Sequence, residues 1–263
     1  MNHPMQLFHR ELGGTAGPPI LLLHGLLGSS RNWTTVARLL AERARPIGID
    51  LRNHGESFHA DGMGYPTLAG DVLDWMDAEG VDSAHFAGHS MGGKVAMVLA
   101  CQQPERVRSL CIADIAPRVY KPHFKVAIEA MQGVDPSRFR RIAEVERELA
   151  RVLDDAELRQ FLVTNLRRNP EGTFAWQVHL PSLADSLKSL AGNPLSSDMR
   201  YQGPTLLLRG ERSDFVRDVD IEALRAHFPR AGMTTVPGAG HNVHVENRRF
   251  FADQLLDHVY ANG

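Results

Sequence analysis

The sequence predicts an α/β protein: a mostly parallel sheet with helices on both faces, interrupted once by a helical insertion. Short, nearly continuous apolar runs alternate with segments of helical period in both flanks of the chain. Between about 118 and 200 the alternation stops and helical spacing takes over. One glycine-flanked serine stands where a predicted strand runs straight into a predicted helix.

Taken in order, PPILLLHG (18–25) reads as a buried strand, residues 31–43 as a helix and RPIGID (45–50) as a strand. Residues 67–80 read as a helix closed by Gly80, followed by strand 84–89, helix 91–103 and strand 107–114. Strands apolar on both faces belong to a parallel sheet covered on both sides. In the insertion no strand-like run is visible, and Ile142, Val145, Leu149 and Val152 recur at helical spacing among Arg and Glu. The alternation resumes with strand 204–210, helix 220–228, strand 233–237 and a last helix through 250–261. The expectation is one interrupted domain, with residues 1–117 and 201–263 as core and 118–200 as a helical cap over the strand ends.

Composition narrows the function. A chain of 263 residues with 43% hydrophobic and 23% charged residues has the make-up of a soluble, enzyme-sized protein. The net charge of −2 comes from mixed signs without the basic excess that phosphate neutralisation needs, so nucleic acid is not an expected partner. No run of 18 apolar residues predicts a membrane span, and the first residues, MNHPMQLFHREL, carry charge where a secretory leader needs an apolar stretch. A cytoplasmic location is expected. Cys101 and Cys111 fall in a predicted helix and a predicted strand, where a thiol packs as a small hydrophobe.

The chemistry concentrates at Gly88-His89-Ser90-Met91-Gly92. This is G-x-S-x-G at a strand-to-helix turn, where small flanking residues let the backbone fold sharply and expose a serine oxygen. The bland alternative is a helix-capping serine in a glycine-rich turn. Ser90 opens its helix, so the Met91 N–H faces the space where an oxyanion would develop. A second donor is expected from the loop after His24-Gly25, with the Leu26 N–H as candidate. The base is expected in the loop after the last strand, where GAGHNVHVE supplies His241. An HxxH metal pair with His244 and Glu246 is the rival, but no HExxH pattern or third ligand accompanies it, so neither metal nor cofactor is expected. His54, His59, His85 and His89 read as structural or solvated.

Together HGLLGSSRNW, DLRNHGES, GHSMGGKVAM, ADIAP and GAGHNVHVE resemble the alpha/beta hydrolase superfamily, and within it the esterase branch containing abhydrolase domain-containing protein eleven and small bacterial carboxylesterases. The resemblance spans both sheet halves and fades through the insertion. It implies an eight-stranded sheet, a helical cap over Ser90 and cofactor-free hydrolysis of carboxylic esters or thioesters.

Two aspartates compete for the acid. In the resembled superfamily the acid usually follows the strand that here is PTLLLRG, in a G-x-x-D pattern. Three residues past Gly210 stands Ser213, so Asp214 is one step late and its side chain rotates to the other face. The resembled branch uses an acid at the end of the preceding sheet strand, here Asp114, 24 residues beyond Ser90. Asp114 is the favoured acid and Asp214 the alternative.

The expected reaction is acyl transfer to water through Ser90, His241 and Asp114, with Leu26 and Met91 as oxyanion donors and a small-molecule ester or thioester as substrate. A serine at the elbow argues against dehalogenases and epoxide hydrolases of this fold, which place an aspartate there. A carbon-carbon bond hydrolase or a perhydrolase would keep the same triad, and a catalytically silent ligand-binding protein can keep the elbow. Phe124, Phe161, Phe174 and Trp176 are the expected acyl-site lining from the insertion.

Overall fold

A computed structural model describes residues 6–14 and 16–262. Its main sheet is built from β1 (His9–Glu11), β2 (Pro19–Leu23), β3 (Arg45–Ile49), β4 (Ala84–His89), β5 (Val107–Ala113), β8 (Thr205–Gly210) and β9 (Ala231–Val236). The spatial order is β1-β3-β2-β4-β5-β8-β9, with β1 antiparallel to β3 and every other pair parallel. The described residues thus form seven strands in this sheet where the resemblance implied eight. With only three residues and no apolar alternation, β1 gave no strand signal.

The strands bury both faces, as their continuous apolar runs require. Ile20, Leu22, Ala87, Cys111, Ala113, Leu206 and Leu208 pack on one side against α1 (Thr34–Leu40) and the final helix, Arg248–Tyr260. Leu21, Leu23, Ile47, Ile49, Phe86, Leu110 and Ile112 face the other, under α2 (Tyr65–Ala78) and α3 (Met91–Gln102). Alternation along each strand sends successive side chains to opposite layers.

Between β5 and β8 the chain forms α4 (Lys125–Gln132), α5 (Ile142–Leu149), α6 (Ala156–Val163) and α7 (Leu180–Ala191). It also forms an antiparallel hairpin of β6 (Leu166–Arg168) and β7 (Phe174–Trp176), so the expectation of a strand-free insertion is corrected. Each hairpin strand has three residues, too short for period-two alternation to register, and the signal lies in the turn. Gly172 at φ +82° and the Asn169 N–H to Thr173 O bond of 2.8 Å close it. After β8 come α8 (Asp220–His227), α9 (Val243–Glu246) and α10, the final helix. Among the described residues no helix is long and apolar enough to cross a membrane.

Candidate active site

Ser90 joins β4 to α3 at φ 51° and ψ −115°, a left-handed conformation that a serine adopts only when its surroundings hold it there. Two close approaches do so. A Cβ on Gly88 would stand 2.4 Å from Gly92 O, and one on Gly92 would stand 2.3 Å from Leu23 O. The Ser90 N–H donates to Ala113 O at 3.2 Å and its carbonyl accepts from Lys94 N at 3.1 Å, so sheet and helix share this residue.

The loop after β2 is clamped from three sides. His24 donates from Nδ1 to Gly25 O at 2.8 Å and accepts the Leu51 N–H on Nε2 at 3.0 Å. Leu27, at φ 61°, donates its N–H to His54 Nε2 at 3.2 Å and accepts from Asn165 Nδ2 at 3.0 Å. His54 in turn donates from Nδ1 to Arg52 O. Burial pulls His54 down to about 3 and lowers His24 as well, which keeps both rings neutral and able to accept a backbone N–H. Leu26 and Met91 flank Ser90 in the same cavity, and among the described residues neither N–H is committed to a hydrogen bond.

Asp114 ends β5, also left-handed at φ 51°, and is fully buried. Its N–H bonds Leu208 O at 2.9 Å and its Oδ1 accepts from Gly210 N at 2.8 Å. Its Oδ2 accepts from Ser213 Oγ and stands 2.8 Å from His241 Nδ1. A carboxylate without water is sustained by such donors. Asp214 points elsewhere: it is exposed and enters no ion pair among the described residues.

His241 is held on its remaining sides. The Phe215 ring stacks on the imidazole, and His89 donates from Nε2 to His241 O at 2.9 Å. Burial first, then the neighbouring imidazoles, hold His89 well below the usual range, so it acts as a neutral brace. The other histidine of the HxxH pair, His244, is buried in α9 with its ring 4.2 Å from that of Trp33 and 4.7 Å from that of His89, and it borders the same cavity as Ser90 and His241. Glu246 accepts from Gly240 N and Asn242 N, shaping the loop that presents His241.

Ser90 lies where two cavities meet, of about 510 and 1100 Å³ with their mouths included. Tyr65, Ile115, Tyr120, Leu187, Leu190 and Phe215 line the first, while His24, His89, His241, Asp155, Glu157 and Phe161 line the second. Among the described hydrogen bonds the Ser90 hydroxyl has no partner, and it shares the second cavity with His241. Phe124 borders both cavities. Two of the four expected aromatics are not in this lining: Phe174 is buried beside Arg168, and Trp176 borders a separate pocket with Gly55 and Gln177. As strand residues of the hairpin they take directions that helical spacing did not anticipate.

Sequence reasoning missed the roles of Ser213, Phe215 and Asn165, and it left His54 between structural and solvated, where the structure makes it a buried brace. Ser213 had a visible signal, since it occupies the place where the fold usually carries an acid. The other three act through contacts distant in sequence that leave no local pattern.

A family model for the alpha/beta hydrolase fold matches residues 18–248. The chain is 36% identical over 263 residues to the mouse protein named sn-1-specific diacylglycerol lipase ABHD11, covering 96% of this chain and 84% of the relative. It is 35% identical over 232 residues to Esterase YbfF of Escherichia coli, covering 87% of each. A solved structure described as a marine microorganism esterase superposes with a TM-score of 0.92 at 36% identity, covering 96% of this chain and 99% of that one. With a matched fold model over most of its length and curated relatives named as lipase and esterase, the chain belongs to the alpha/beta hydrolase family and is a hydrolase.

Proposed function

We propose that the enzyme hydrolyses carboxylic esters through an acyl-enzyme on Ser90. The observation that carries this reading is the 2.8 Å contact between Asp114 Oδ2 and His241 Nδ1, in a loop that brings His241 to the cavity shared with Ser90. Ser90 Oγ attacks the ester carbonyl while its proton passes to His241 Nε2, and Asp114 holds the Nδ1–H and the imidazolium that results. The Leu26 and Met91 N–H groups bind the oxyanion. His241 returns the proton to the departing alcohol. Water then attacks the acyl-enzyme, its proton passes to His241, and collapse releases the acid and restores the Ser90 hydroxyl.

The second cavity supports an alcohol rather than a polyanionic thioester carrier as leaving group. Asp155 and Glu157 are on its wall, and neither Lys nor Arg is among the residues lining it. Like charges on wall and leaving group repel.

Hydrolysis of ethyl and p-nitrophenyl esters of graded acyl length, with fluorophosphonate labelling alongside, tests the reading. Ser90→Ala is expected to lose several decades of kcat and all labelling while retaining the fold. Unchanged turnover in that variant would remove Ser90 from the chemistry. A carbon-carbon bond hydrolase would instead label normally and leave every ester in the panel untouched.

A further inference from the structure

The first cavity holds a charge that the hydrolytic scheme does not use. Lys94 sits on α3 one turn beyond Ser90, is 2% exposed, and lines the cavity together with Ser90, Met91 and Tyr65. Its Nζ donates to Arg118 O at 3.2 Å and Gly192 O at 2.6 Å and stands over the Tyr120 and Tyr65 rings at 4.7 and 5.5 Å. No carboxylate forms an ion pair with it among the described residues.

An ammonium has three N–H donors, so two carbonyls leave one uncommitted. The neighbouring phenols present their ring faces to it, and among the described residues no hydrogen bond runs from Nζ to either hydroxyl: Tyr65 bonds Leu190 O, and Tyr120 bonds Phe215 O while accepting the Ala116 N–H. A cation held this way lacks the counter-charge that normally accompanies burial. Burial first, then the Arg118 charge, pull its pKa down to about 7. Were the cavity meant for alkyl chains alone, a methionine or leucine would fill the same space without desolvating a charge.

The remaining lining agrees. Lys121 and His123 are the other titratable side chains besides the two tyrosines, and no Asp or Glu borders the cavity. Across Ser90 the second cavity has the opposite character, with Asp155 and Glu157 on its wall. A substrate with one anionic end is therefore directed to place that end beside Lys94 and its alcohol on the far side.

We propose that Lys94 is a specificity-determining residue that binds a terminal carboxylate on the acyl group, so that the enzyme favours monoesters of short dicarboxylic acids over alkanoate esters of equal length. This deepens the ester-hydrolase reading and rests on it for turnover. The carboxylate accepts the free Nζ–H and supplies the missing counter-charge. Four residues of helix rise span about 6 Å, which sets short chains, and not long ones, as the fit between Ser90 and Lys94.

The test follows proton release from monoethyl succinate, glutarate and adipate against ethyl butanoate, pentanoate and hexanoate. At one length or more the carboxylate ester is expected to lead in kcat/KM by about ten-fold, the scale of one charged hydrogen bond. Lys94→Met is expected to abolish that lead while leaving alkanoate hydrolysis within about three-fold, since the thioether refills the space. A fall of both substrate types by the same factor would assign Lys94 to holding the chain at Arg118 and Gly192, and would overturn the proposal.

A second measurement does not depend on that variant folding or on turnover. Calorimetry with Ser90→Ala is expected to detect binding of glutarate or adipate and weaker binding of pentanoate or hexanoate. Equal or absent binding of the diacids overturns the proposal. Diacid binding without hydrolysis of any ester would uphold the Lys94 site and sink the esterase reading instead.

Discussion

The phenyl ring of Phe215 lies flat on the imidazole of His241, with centroids 3.6 Å apart and planes 18° from parallel. Asp114 fixes the edge of that imidazole, and Phe215 fixes its plane while sealing one face from water. A charged imidazolium formed during turnover would rest on the electron-rich face of the phenyl ring. Replacing Phe215 by leucine keeps apolar bulk and removes that face. The expected outcome is a fall in kcat of about five-fold, the scale of a partly exposed cation–π contact, with a smaller change in KM. Steady-state kinetics on a short ester check it, and an unaltered kcat would reduce Phe215 to a wall of the cavity.

Asp114 and Asp214 are separated by a direct comparison. An amide at Asp114 offers His241 the wrong partner and leaves the Gly210 and Ser213 donors facing a weaker acceptor. In serine proteases the equivalent aspartate-to-asparagine change lowers kcat about 10⁴-fold. Asp114→Asn is expected to fall on that scale, and Asp214→Asn to remain within about three-fold, as exposed substitutions usually do. Folding of both variants is checked by circular dichroism. Severe loss in Asp214→Asn with activity retained in Asp114→Asn would reverse the assignment.

Ser213→Ala removes one donor from a buried carboxylate that keeps two others. One hydrogen bond to a charged group corresponds to about ten-fold in rate when it acts on the transition state. The variant is therefore expected to be intermediate, well above Asp114→Asn. Parity between the two would mean that the hydroxyl is indispensable to the carboxylate's placement.

The buried histidines predict acid sensitivity. Burial pulls His54 and His244 each down to about 3, and holds His24 and His89 below the usual range. In the folded protein these rings stay neutral in mild acid, while unfolded imidazoles gain protons below about pH 6.5. The unfolded state then binds more protons, so stability drops as pH falls from about 6.5 toward 3. His54 and His244 each account for a loss of about 2 kcal/mol by pH 5, and His24 and His89 add to it in the same direction. Thermal melts at pH 7, 6 and 5 should give a descending Tm, and a constant Tm over that range would contradict the neutral assignment.

Aromatic truncations should divide by position. Phe124→Ala and Phe161→Ala act on the cavities beside Ser90 and are expected to alter the kcat/KM ratio between short and long substrates. Trp176→Ala leaves those walls in place but removes an indole that donates to Met131 O and Val134 O at 3.0 and 3.2 Å. Its expected effect is a lower Tm with an unchanged ratio. A changed ratio in Trp176→Ala would extend the functional lining to the hairpin.

Much of this molecule was legible from local pattern. The strands of the parallel sheet announce themselves because burial on both faces demands continuous apolar residues, and the elbow at Ser90 because its tight turn demands small neighbours. The pairing of Asp114 with His241 was reachable from the single-residue offset at Ser213 together with a family likeness. What stayed hidden depends on three-dimensional neighbours. The β6–β7 hairpin has three residues per strand, and Asn165 reaches Leu27 across 138 positions of sequence. Lys94 was visible as a helix residue, but its lack of a counter-charge exists only once Tyr65, Arg118 and Gly192 have closed around it.

Strands β4 and β5 are neighbours in the chain as well as in the sheet, so the proposed nucleophile and its acid arrive on one continuous stretch, with Leu26 and Met91 on the same side of the long excursion to β8. His241 alone comes from beyond it. A chain severed within that excursion would put four of the five reacting groups on one fragment and the imidazole on the other. The suture is the parallel seam of Leu110–Ala113 against Thr205–Leu208, closed directly over by Asp114 reaching Gly210. Ester turnover would then report the rejoining of the halves: the larger piece would be primed but silent, and the smaller would supply the one proton carrier that starts it.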